Sequence, residues 1–505
     1  MASIKPDDNV PVYDFIVFGA GIAGINASYL LKTEMPNSSY IVFENRERVG
    51  GTWDFWKYPG VRSDSFLALF GLTWHPWPHD MDFAEAHLIQ DYLEDAVRVH
   101  GIEKNIRLSH KVNRADWSSS EQLWTVTVTP VDGVATLFKT RYVLACTGYY
   151  DYEKPLQADI PGLDCFQGQV VHPQFWTEDI QPEGKRIILV GSGATAVTLF
   201  PNLAKTAQKV TMLQRSPSYV LSAPSRDTLG LFLLRWFPTL LAMSINWYRV
   251  WLFETFHVWL MATFPKWGKK QVMDSMRQLA PPHIDVDVHF NPRYRPYEQR
   301  LCLCPDDDFF RAFKQPNTAI VTDHIDTVTE TGIKLRSGKF LEADMIVTAT
   351  GLNIQFLGRI PTFVDGKNIV DTIGQRYTWN GIMLDGVPNM CLSATYTEAT
   401  APPGTWIRTR LMLRVIKHAL KMGATSVVPH INPEERHRLP KTNAAKISST
   451  YIVTAAKRMP LSGDRSPWRS PRNYWEDWKI LKFGSVTKGL KYHSETKALL
   501  EAKRD

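Results

Sequence analysis

The sequence has few cysteines, no long apolar run and little excess charge of either sign. Its 505 residues contain five cysteines, Cys146, Cys165, Cys302, Cys304 and Cys391. An odd, sparse set of this kind argues against a disulfide framework and favours a reducing compartment. The spacings CxxC and CxxxxC are both absent, which excludes a reductase built on a redox-active cysteine pair. No His or Cys accompanies the Cys302–Cys304 pair at metal-ligand spacing, so we expect no metal site.

The charge balance gives little support to a nucleic-acid partner. Lys and Arg total 58 against 51 for Asp and Glu, a formal net charge of +7 that is spread along the chain. With 44% hydrophobic and 22% charged residues, the composition is that of a globular protein. The first residues lack a basic stretch followed by an apolar one, so we expect no secretory signal and a cytoplasmic location.

The most apolar segment, residues 228–267, is too interrupted to span a bilayer. Its longest stretch without charge runs from Trp236 to Tyr248, well short of the roughly 20 residues that a span requires. We therefore predict a buried helical subdomain. Aromatic residues beside Lys266, Lys269 and Lys270 leave peripheral membrane contact as the alternative. No motif specifies an oligomeric state.

Two segments share the order strand, glycine turn, helix. An apolar strand pattern at residues 13–18 leads into Gly19, Gly21 and Gly24, and another at 186–190 leads into Gly191, Gly193 and Ala196. In such a turn the first glycine permits a tight bend and the second lets the backbone approach a pyrophosphate. The third small residue lets the helix pack closely on the strand. The simplest interpretation is two dinucleotide-binding sites.

The residue after the second strand of each unit distinguishes the two sites. The strand at 39–43 ends in Glu44, about 20 residues after the turn, where an acid binds the ribose hydroxyls of a dinucleotide. The strand at 209–213 is followed by Gln214, Arg215 and Ser216, without an acid. Because arginine can bind a 2′-phosphate that a carboxylate would repel, we expect FAD at the first site and NADPH at the second.

Two later strands, which lead to Gly148 and Gly351, mark where the chain passes between domains. We predict an α/β fold with two Rossmann-like dinucleotide-binding domains and a helical insertion. The FAD-binding domain comprises residues 1–150 and 351–505, the NADPH-binding domain comprises 151–223 and 297–350, and the insertion comprises 224–296.

Two further motifs identify a family. Residues 166–176 fit the pattern FxGxxxHxxxW through Phe166, Gly168, His172 and Trp176, and residues 50–64 fit GGxWxxxxYPGxxxD. Together with both glycine turns, these motifs resemble those of type I Baeyer–Villiger monooxygenases. The resemblance extends over nearly the whole chain. Segments such as TMLQRSP and NPRYRPYEQRLCL most resemble the ethionamide-activating branch of that family.

The resemblance implies an FAD enzyme that takes a hydride from NADPH and lets the reduced flavin react with O2. A flavin peroxide would attack a hydrophobic ketone to give an ester or lactone, and sulfides would be further substrates. The implied catalytic residues are Arg300, whose permanent charge would stabilise the peroxide, and Asp64, which would pair with it. His172 and Trp176 are expected to position the domains rather than to transfer protons.

The cofactor-binding residues expected from these motifs lie in four short segments. They are Gly19, Gly21, Gly24 and Glu44; Gly51, Thr52, Trp53 and Asp64; Gly191, Gly193, Ala194, Thr195 and Ala196; and Arg215 and Ser216.

Two positions and one loop depart from the family pattern. Thr177 follows Trp176 where Pro or Asp is usual, and Gln299 stands before Arg300 where many members have Lys. The latter difference would leave more of the 2′-phosphate binding to Arg215. A longer loop that includes Pro402, Pro403 and Gly404 is expected to reshape the substrate pocket.

Two other functions remain open. A flavin monooxygenase that oxygenates nitrogen or sulfur shares both nucleotide sites. It typically lacks the tryptophan that ends the motif of Phe166, Gly168, His172 and Trp176, which we call the linker motif. A catalytically silent flavoprotein would bind the nucleotides without turnover. The presence of Trp176, Asp64 and Arg300 favours the oxidation of ketones.

Overall fold

A computed structural model describes most of the chain. The described residues are 10–156, 158–299, 301–393, 400, 402–443, 450–471 and 473–494, with the side chains of 450 and 451 excepted. Arg300 and residues 394–399 lie outside this set.

The first glycine turn belongs to a nine-stranded sheet. Its strands are β1 (Val12–Phe18), β2 (Tyr40–Phe43), β3 (Ile106–Arg107), β4 (His110–Ser118), β5 (Leu123–Pro130), β6 (Thr136–Ala145), β17 (Thr362–Val364), β18 (Lys367–Asn368) and β21 (Met390–Leu392). The order is β18-β17-β4-β5-β6-β1-β2-β3, with β21 also paired to β6. β1 lies parallel to both β2 and β6. Its continuous apolar sequence fits this central position, because a parallel strand is buried on both faces.

The second glycine turn belongs to a five-stranded sheet in which every pair is parallel. Its strands are β7 (Gln169–Val171), β8 (Arg186–Val190), β9 (Lys209–Gln214), β12 (Thr318–Thr322) and β16 (Met345–Thr348). The order is β12-β9-β8-β16-β7, so β8, which carries the turn, is central. Both strand–turn–helix units predicted from the sequence are therefore present.

The remaining strands form small sheets around these two. They are β13 (Ile325–Thr329), β14 (Gly332–Leu335) and β15 (Phe340–Glu342) in one sheet, and the pairs β10 (Val220–Ala223) with β11 (Cys302–Pro305), β19 (Thr378–Trp379) with β20 (Met383–Leu384), β22 (Ser426–Pro429) with β25 (Leu490–His493), and β23 (Thr442–Asn443) with β24 (Leu461–Ser462).

The helices of the described residues vary in length from 4 to 25 residues. In chain order they are α1 (Ile22–Glu34), α2 (Thr52–Phe55), α3 (Leu67–Phe70), α4 (Ala86–Val99), α5 (Ala194–Leu203), α6 (Thr228–Trp236), α7 (Thr239–Thr263), α8 (Pro265–Leu279), α9 (Val286–His289), α10 (Asp308–Ala312), α11 (Pro402–Lys421), α12 (Pro433–Arg438), α13 (Thr450–Ala455) and α14 (Tyr474–Phe483). α1 and α5 start at the two glycine turns. Helices α6 to α9 lie within the predicted insertion. The domain boundaries themselves stay a prediction.

The prediction that the insertion is buried is wrong for α6 and α7, whereas α8 and α9 contribute buried residues to the core. The long helix α7 fully buries only Ala242, Val250 and Met261, whereas Trp236 is 67% exposed and Leu240 is 70% exposed. Apolar residues occur all round α7, and a single packing face cannot cover them all. Among the described residues, no helix combines the length and the apolar character that crossing a bilayer would require.

The expectation of a loop at Pro402, Pro403 and Gly404 is also wrong. These residues form the first turn of α11 and are buried. Proline is accepted in a first helical turn because the N–H groups there have no partner within the helix. The side chain of Thr405 donates to the carbonyl of Pro402 at 2.8 Å, which closes this turn.

Candidate functional site

One cavity of about 1680 Å³ joins the two glycine turns. A typical small-molecule site has a volume of roughly 300–1,000 Å³, so this cavity is large enough for two dinucleotides. Among its lining residues are Gly19 and Gly21 from the first turn and Gly191 and Gly193 from the second.

Two positions of the first turn, Gly19 and Gly24, are too crowded for a larger residue. A Cβ atom at Gly24 would lie 1.9 Å from the carbonyl oxygen of Gly19, and one at Gly19 would lie 2.7 Å from that of Cys146. Gly19 also has a φ of +95°, which glycine adopts readily. Gly24 does not line the cavity. It lets α1 approach β1, which directs the helix N-terminus at the cavity, where an anion is stabilised.

The motif at residues 50–64 packs directly against this turn. Gly50 forms a β-bridge with Gly21, and a Cβ atom at Gly51 would lie 3.0 Å from the Cα of Gly21. Thr52 and Trp53, which follow in α2, line the cavity. The Thr52 hydroxyl lies 3.0 Å from that of Tyr152. The two motifs, separate in sequence, therefore form one surface.

Glu44 lies at the end of β2, as the sequence predicted, and its carboxylate is fixed by the backbone. The N–H of Ala20 donates to Oε2 at 2.7 Å and that of Arg46 donates to Oε1 at 2.9 Å. Burial raises the pKa of Glu44, and these two hydrogen bonds oppose that shift. A carboxylate has about four acceptor positions, so two remain for the hydroxyls of a ribose.

Arg62 is a cavity residue that no sequence motif predicted. Its guanidinium Nη1 bonds the carboxylate of Asp308 at 2.5 Å, while the buried Nη2 has no hydrogen-bond partner. Asp308 begins α10 beside the second sheet, so this ion pair joins the 50–64 motif to the other half of the molecule. Asp64, two residues further on, also lines the cavity.

The second turn repeats the design of the first. Gly191 has a φ of +143°, and a Cβ atom there would lie 2.3 Å from the carbonyl oxygen of Ala349. Ala194 and Thr195 line the cavity with Gly193, beside which a Cβ atom would meet nothing within 4 Å. Ala196 is buried in the core, where it takes the packing role of Gly24.

Arg215 and Ser216 are exposed at the rim of the cavity, after β9. A second arginine, Arg336, also lines the cavity and was not predicted from the sequence. Two backbone bonds connect its segment to the end of β9, since Asp323 N donates to the carbonyl of Gln214 at 3.0 Å and Arg336 N donates to that of His324 at 2.9 Å. No local motif marks Arg336, because contacts between segments that are distant in the sequence bring it to the cavity.

The predicted catalytic residue Arg300 lies outside the described residues. Its two neighbours, Gln299 and Leu301, both line the cavity. The predicted pairing of Arg300 with Asp64 stays a prediction.

Of the linker-motif residues, only His172 lines the cavity. Its Nδ1 accepts the N–H of Gln174 at 3.2 Å, and burial lowers its pKa. Phe166 and Trp176 are buried in hydrophobic clusters. Gly168 is required by a close approach, because a Cβ atom there would lie 2.5 Å from the carbonyl oxygen of Asp344. Most of this motif therefore packs the second sheet rather than facing the cavity.

Thr177, the first departure from the family pattern, is exposed and does not line the cavity. The hydroxyl of Thr177 hydrogen-bonds the side chain of Asp179 and thereby lowers the pKa of that carboxyl.

Two carboxylates and an arginine form a polar part of the wall. Asp82, Asp227 and Arg249 all line the cavity. The guanidinium of Arg249 bonds Asp227. Burial raises the pKa of Asp82 to about 7, with a further contribution from the charge of Asp227 and opposition from that of Arg249. Asp82 also ties the insertion to the first sheet region, because its N–H donates to the carbonyl of Ser225 at 2.7 Å.

Sequence comparisons connect this chain to flavin enzymes. The model of the flavin-binding monooxygenase-like family matches residues 14–246. The chain is 37% identical to the FAD-containing monooxygenase EthA of Mycolicibacterium smegmatis, over 97% of this chain and 99% of that protein. It is 34% identical to the probable FAD-binding monooxygenase AlmA of Acinetobacter baylyi, over 97% of this chain and 98% of that one.

Solved structures share the fold. A steroid monooxygenase in its oxidized form, bound to NADP, matches with a TM-score of 0.74 and 20% identity over 96% of this chain and 100% of its own. Cyclohexanone monooxygenase bound to ε-caprolactone matches with a TM-score of 0.72 and 19% identity over the same shares. The predicted α/β fold class is confirmed.

The raised pKa of Asp82 predicts a pH-dependent stability. In the unfolded chain this carboxyl ionises near pH 4, whereas in the folded chain it keeps its proton up to about pH 7. The protonated carboxyl therefore favours the folded state at low pH, and this contribution to the free energy of unfolding is lost as the pH rises from about 4 to about 7. Asn carries no charge at either pH. We expect the free energy of unfolding of the wild type, relative to Asp82→Asn, to fall by at least about 1 kcal/mol between pH 5 and pH 8 in denaturant titrations.

The exposed Asp132→Asn is the matched control, and its difference from the wild type should be the same at both pH values. A wild-type-to-Asp82→Asn difference that does not change with pH would show that this carboxyl is ionised in the folded protein at pH 5.

Proposed function

The chain belongs to the flavin-binding monooxygenase-like family, and we propose that it inserts one oxygen atom of O2 next to the carbonyl of a hydrophobic ketone. The product is an ester or lactone, the second oxygen atom leaves as water, and NADPH supplies two electrons. The observation that carries the proposal is the single cavity, which joins both glycine turns and includes the two neighbours of Arg300.

The enzyme is an NADPH-dependent flavoprotein monooxygenase with FAD as its cofactor. The residues fit both nucleotides: two crowded glycine turns direct helix N-termini at the cavity, Glu44 has acceptor positions left for a ribose, and Arg215 replaces an acid at the second site. We therefore assign FAD to the first turn and NADPH to the second. Bound FAD supplies hydride acceptance and the activation of O2.

We assign catalysis to Arg300 and the tuning of its charge to Asp64. A guanidinium stays protonated in proteins, and a fixed, preorganised positive charge stabilises negative charge that develops beside it. His172, with its ring fixed by the N–H of Gln174, has a positioning role at the junction near Gly351.

The substrate is a hydrophobic ketone because the insertion gives the cavity an apolar wall. Val250 and Phe253 on α7 line it, and Phe66 stacks edge-on against Phe253 with ring centres 6.4 Å apart. Sulfides would enter the same space, so we propose them as further substrates. Oxygenation of nitrogen or sulfur alone is the alternative function, and product analysis distinguishes the two.

Arg300→Ala should abolish ester formation while flavin binding and reduction by NADPH persist, because only the charge that stabilises the oxygenating step is lost. The measurement is mass spectrometry of products from purified, FAD-loaded protein given NADPH, air and a panel of ketones, sulfides and tertiary amines. We expect the wild type to yield products one oxygen heavier than their ketones.

The exposed Lys314→Ala, in the same domain, is the control and should retain full activity. Normal ester formation by Arg300→Ala would remove the catalytic assignment. Sulfoxides and N-oxides alone from the wild type would favour the alternative function.

Arg215→Ala should weaken NADPH binding by about 10- to 100-fold and leave NADH binding nearly unchanged, because a charge-assisted bond to the 2′-phosphate contributes roughly 1.5–3 kcal/mol. Michaelis constants for both nucleotides measure this preference. Lys209→Ala, exposed at the other end of β9, is the control. An unchanged preference would show that another group, such as Arg336, binds the phosphate.

We also propose that the exposed side of the insertion contacts an anionic membrane surface. We define the apolar face as the exposed residues Phe232, Trp236, Leu240, Tyr248, Leu252, Phe256 and Trp259 of α6 and α7, with Trp475 and Phe483 of α14. Trp251 connects the two parts, with its ring 6.1 Å from that of Trp475. An apolar area of this extent marks an interaction surface.

The charges around the apolar face are almost all positive. Residues 228–270, all of which the structure describes, contain one acid, Glu254, which bonds Thr400 instead of facing solvent. Arg235, Lys266 and Lys270 are exposed in this segment, and Lys479 and Lys482 are exposed on α14. Aromatic side chains flanked by basic ones are typical of helices that bind in the plane of an anionic bilayer.

Replacing Trp236 and Leu240 together by Ser should reduce binding to vesicles of phosphatidylcholine with 30% phosphatidylglycerol by about tenfold or more, since each loses burial of a large apolar side chain. Co-sedimentation with these vesicles and with pure phosphatidylcholine measures the effect. The control is Val134→Ser, which replaces an apolar residue that is 85% exposed away from the apolar face.

Equal binding by the double variant and the wild type would contradict the proposal. The proposal would also be contradicted if analytical ultracentrifugation showed a dimer of the wild type that the same two substitutions dissociate. A second copy of the chain would then be the partner of this face.

A further inference from the structure

Two polar side chains on α7 face the cavity and have no part in the assignments above. Glu254 and His257 lie three residues apart, so they project from the same side of the helix, and both line the cavity. Each bonds a different distant segment of the chain. The other cavity-lining residues of α7 are Arg249, which bonds Asp227, and the apolar Val250 and Phe253.

Glu254 bonds the segment that leads into α11. The backbone N–H of Thr400 donates to Oε1 at 3.2 Å, and the Thr400 hydroxyl lies 3.2 Å from both carboxylate oxygens. Thr400 is buried. Burial raises the pKa of Glu254, and the two bonds from Thr400 oppose that shift. Two residues after Thr400, Pro402 begins α11 and lines the cavity too.

His257 bonds the segment that leads into Arg300. Its Nδ1 lies 2.8 Å from the hydroxyl of Tyr297, and the two rings meet edge to face with centres 5.8 Å apart. Burial lowers the pKa of His257, and it raises that of Tyr297, as does the charge of Glu254. A neutral imidazole and a protonated phenol can form this bond in either direction.

The backbone at Tyr297 requires such support. Its φ is +65°, a conformation that is strained for a non-glycine residue and persists only where the surroundings impose it. The bond to His257 and the packing of Tyr297 against the core of the second domain provide this constraint. Two residues later the chain reaches Gln299, at the cavity wall.

We propose that Glu254 and His257 are positioning residues, which hold the segments leading into Arg300 and into α11 against one wall of the reaction cavity. The inference rests on the proposed function. Through these two bonds the insertion, which belongs to neither nucleotide site, sets the distance between a segment of the second domain and a segment of the C-terminal part. Loss of either bond should let water reach the reaction.

The test measures how the two electrons of NADPH are used. In a productive cycle they yield oxygenated ketone and water, and in an unproductive one O2 takes both electrons and two protons to give hydrogen peroxide. NADPH consumption, ester and hydrogen peroxide are measured with 2-decanone and full-length, FAD-loaded protein. If the wild type forms no ester, the proposed function fails before the variants are compared.

Tyr297→Phe removes a single oxygen atom and keeps the ring that packs in the core, so the fold should be retained. We expect the ester formed per NADPH to fall about tenfold and hydrogen peroxide to rise correspondingly, while FAD content and the rate of flavin reduction stay within about twofold of the wild type. His257→Phe should have the same effect. The ester yield of the variant that carries both substitutions should be no lower than that of either single variant, because each substitution removes the same hydrogen bond.

Glu254→Leu should lower the yield similarly, and Glu254→Gln should restore it to within about twofold of the wild type, since the amide oxygen still accepts from Thr400. Thr255→Val, exposed on another side of α7, is the control. An unchanged ester yield in Tyr297→Phe and Glu254→Leu would overturn the proposal. So would a loss of FAD content or of flavin reduction equal to the loss of ester, because the residues would then only stabilise the fold.

Discussion

The backbone contact between Gly21 and the Gly50–Gly51 pair is the constraint on which the cavity depends. The β-bridge between Gly21 and Gly50 joins the first glycine turn to a motif that comes about thirty residues later. The approach is tightest at Gly51, where a Cβ atom would lie 3.0 Å from the Cα of Gly21 and where the φ of +57° also favours glycine. The contact therefore sets where α2 begins and where the loop to Asp64 runs. Arg62 in that loop reaches Asp308 beside the second sheet, so the same contact also relates the two nucleotide sites to each other.

Elements encoded by local patterns could be predicted from the sequence. β8 spans the residues expected, and β1 and β2 differ by one residue at their N-terminal ends, because a continuous apolar run next to a glycine turn has few other structures open to it. The short strands β17 and β21 could not be found, because they owe their structure to pairing with the long strands β4 and β6. The same limit applies to Arg336 and to the Arg62–Asp308 pair, which depend on contacts between distant segments.

The two expectations that failed have a common physical cause. The apolar composition of α7 suggested burial, but composition does not state how many neighbours will cover a helix, and α7 is only partly covered. Two prolines followed by Gly404 suggested a loop, although proline is unfavourable only beyond the first helical turn. In both cases the structure depends on where the residues lie relative to their neighbours, which the residue types alone do not specify. Most of the predicted cofactor-binding residues line the cavity, because the motifs that named them also dictate local backbone shape.

The two sides of α7 connect the proposals made for this enzyme. Its outer side carries the apolar face, with Leu252 and Phe256 exposed, and its inner side carries Glu254 and His257. A helix held by two polar bonds inside cannot turn to bury its outer aromatic residues without breaking those bonds. The apolar face and the two inner contacts therefore lie on different sides of one helix. Because Phe253 is both exposed and part of the cavity lining, a hydrophobic ketone dissolved in lipid would meet the cavity wall at the same helix for which we propose membrane contact.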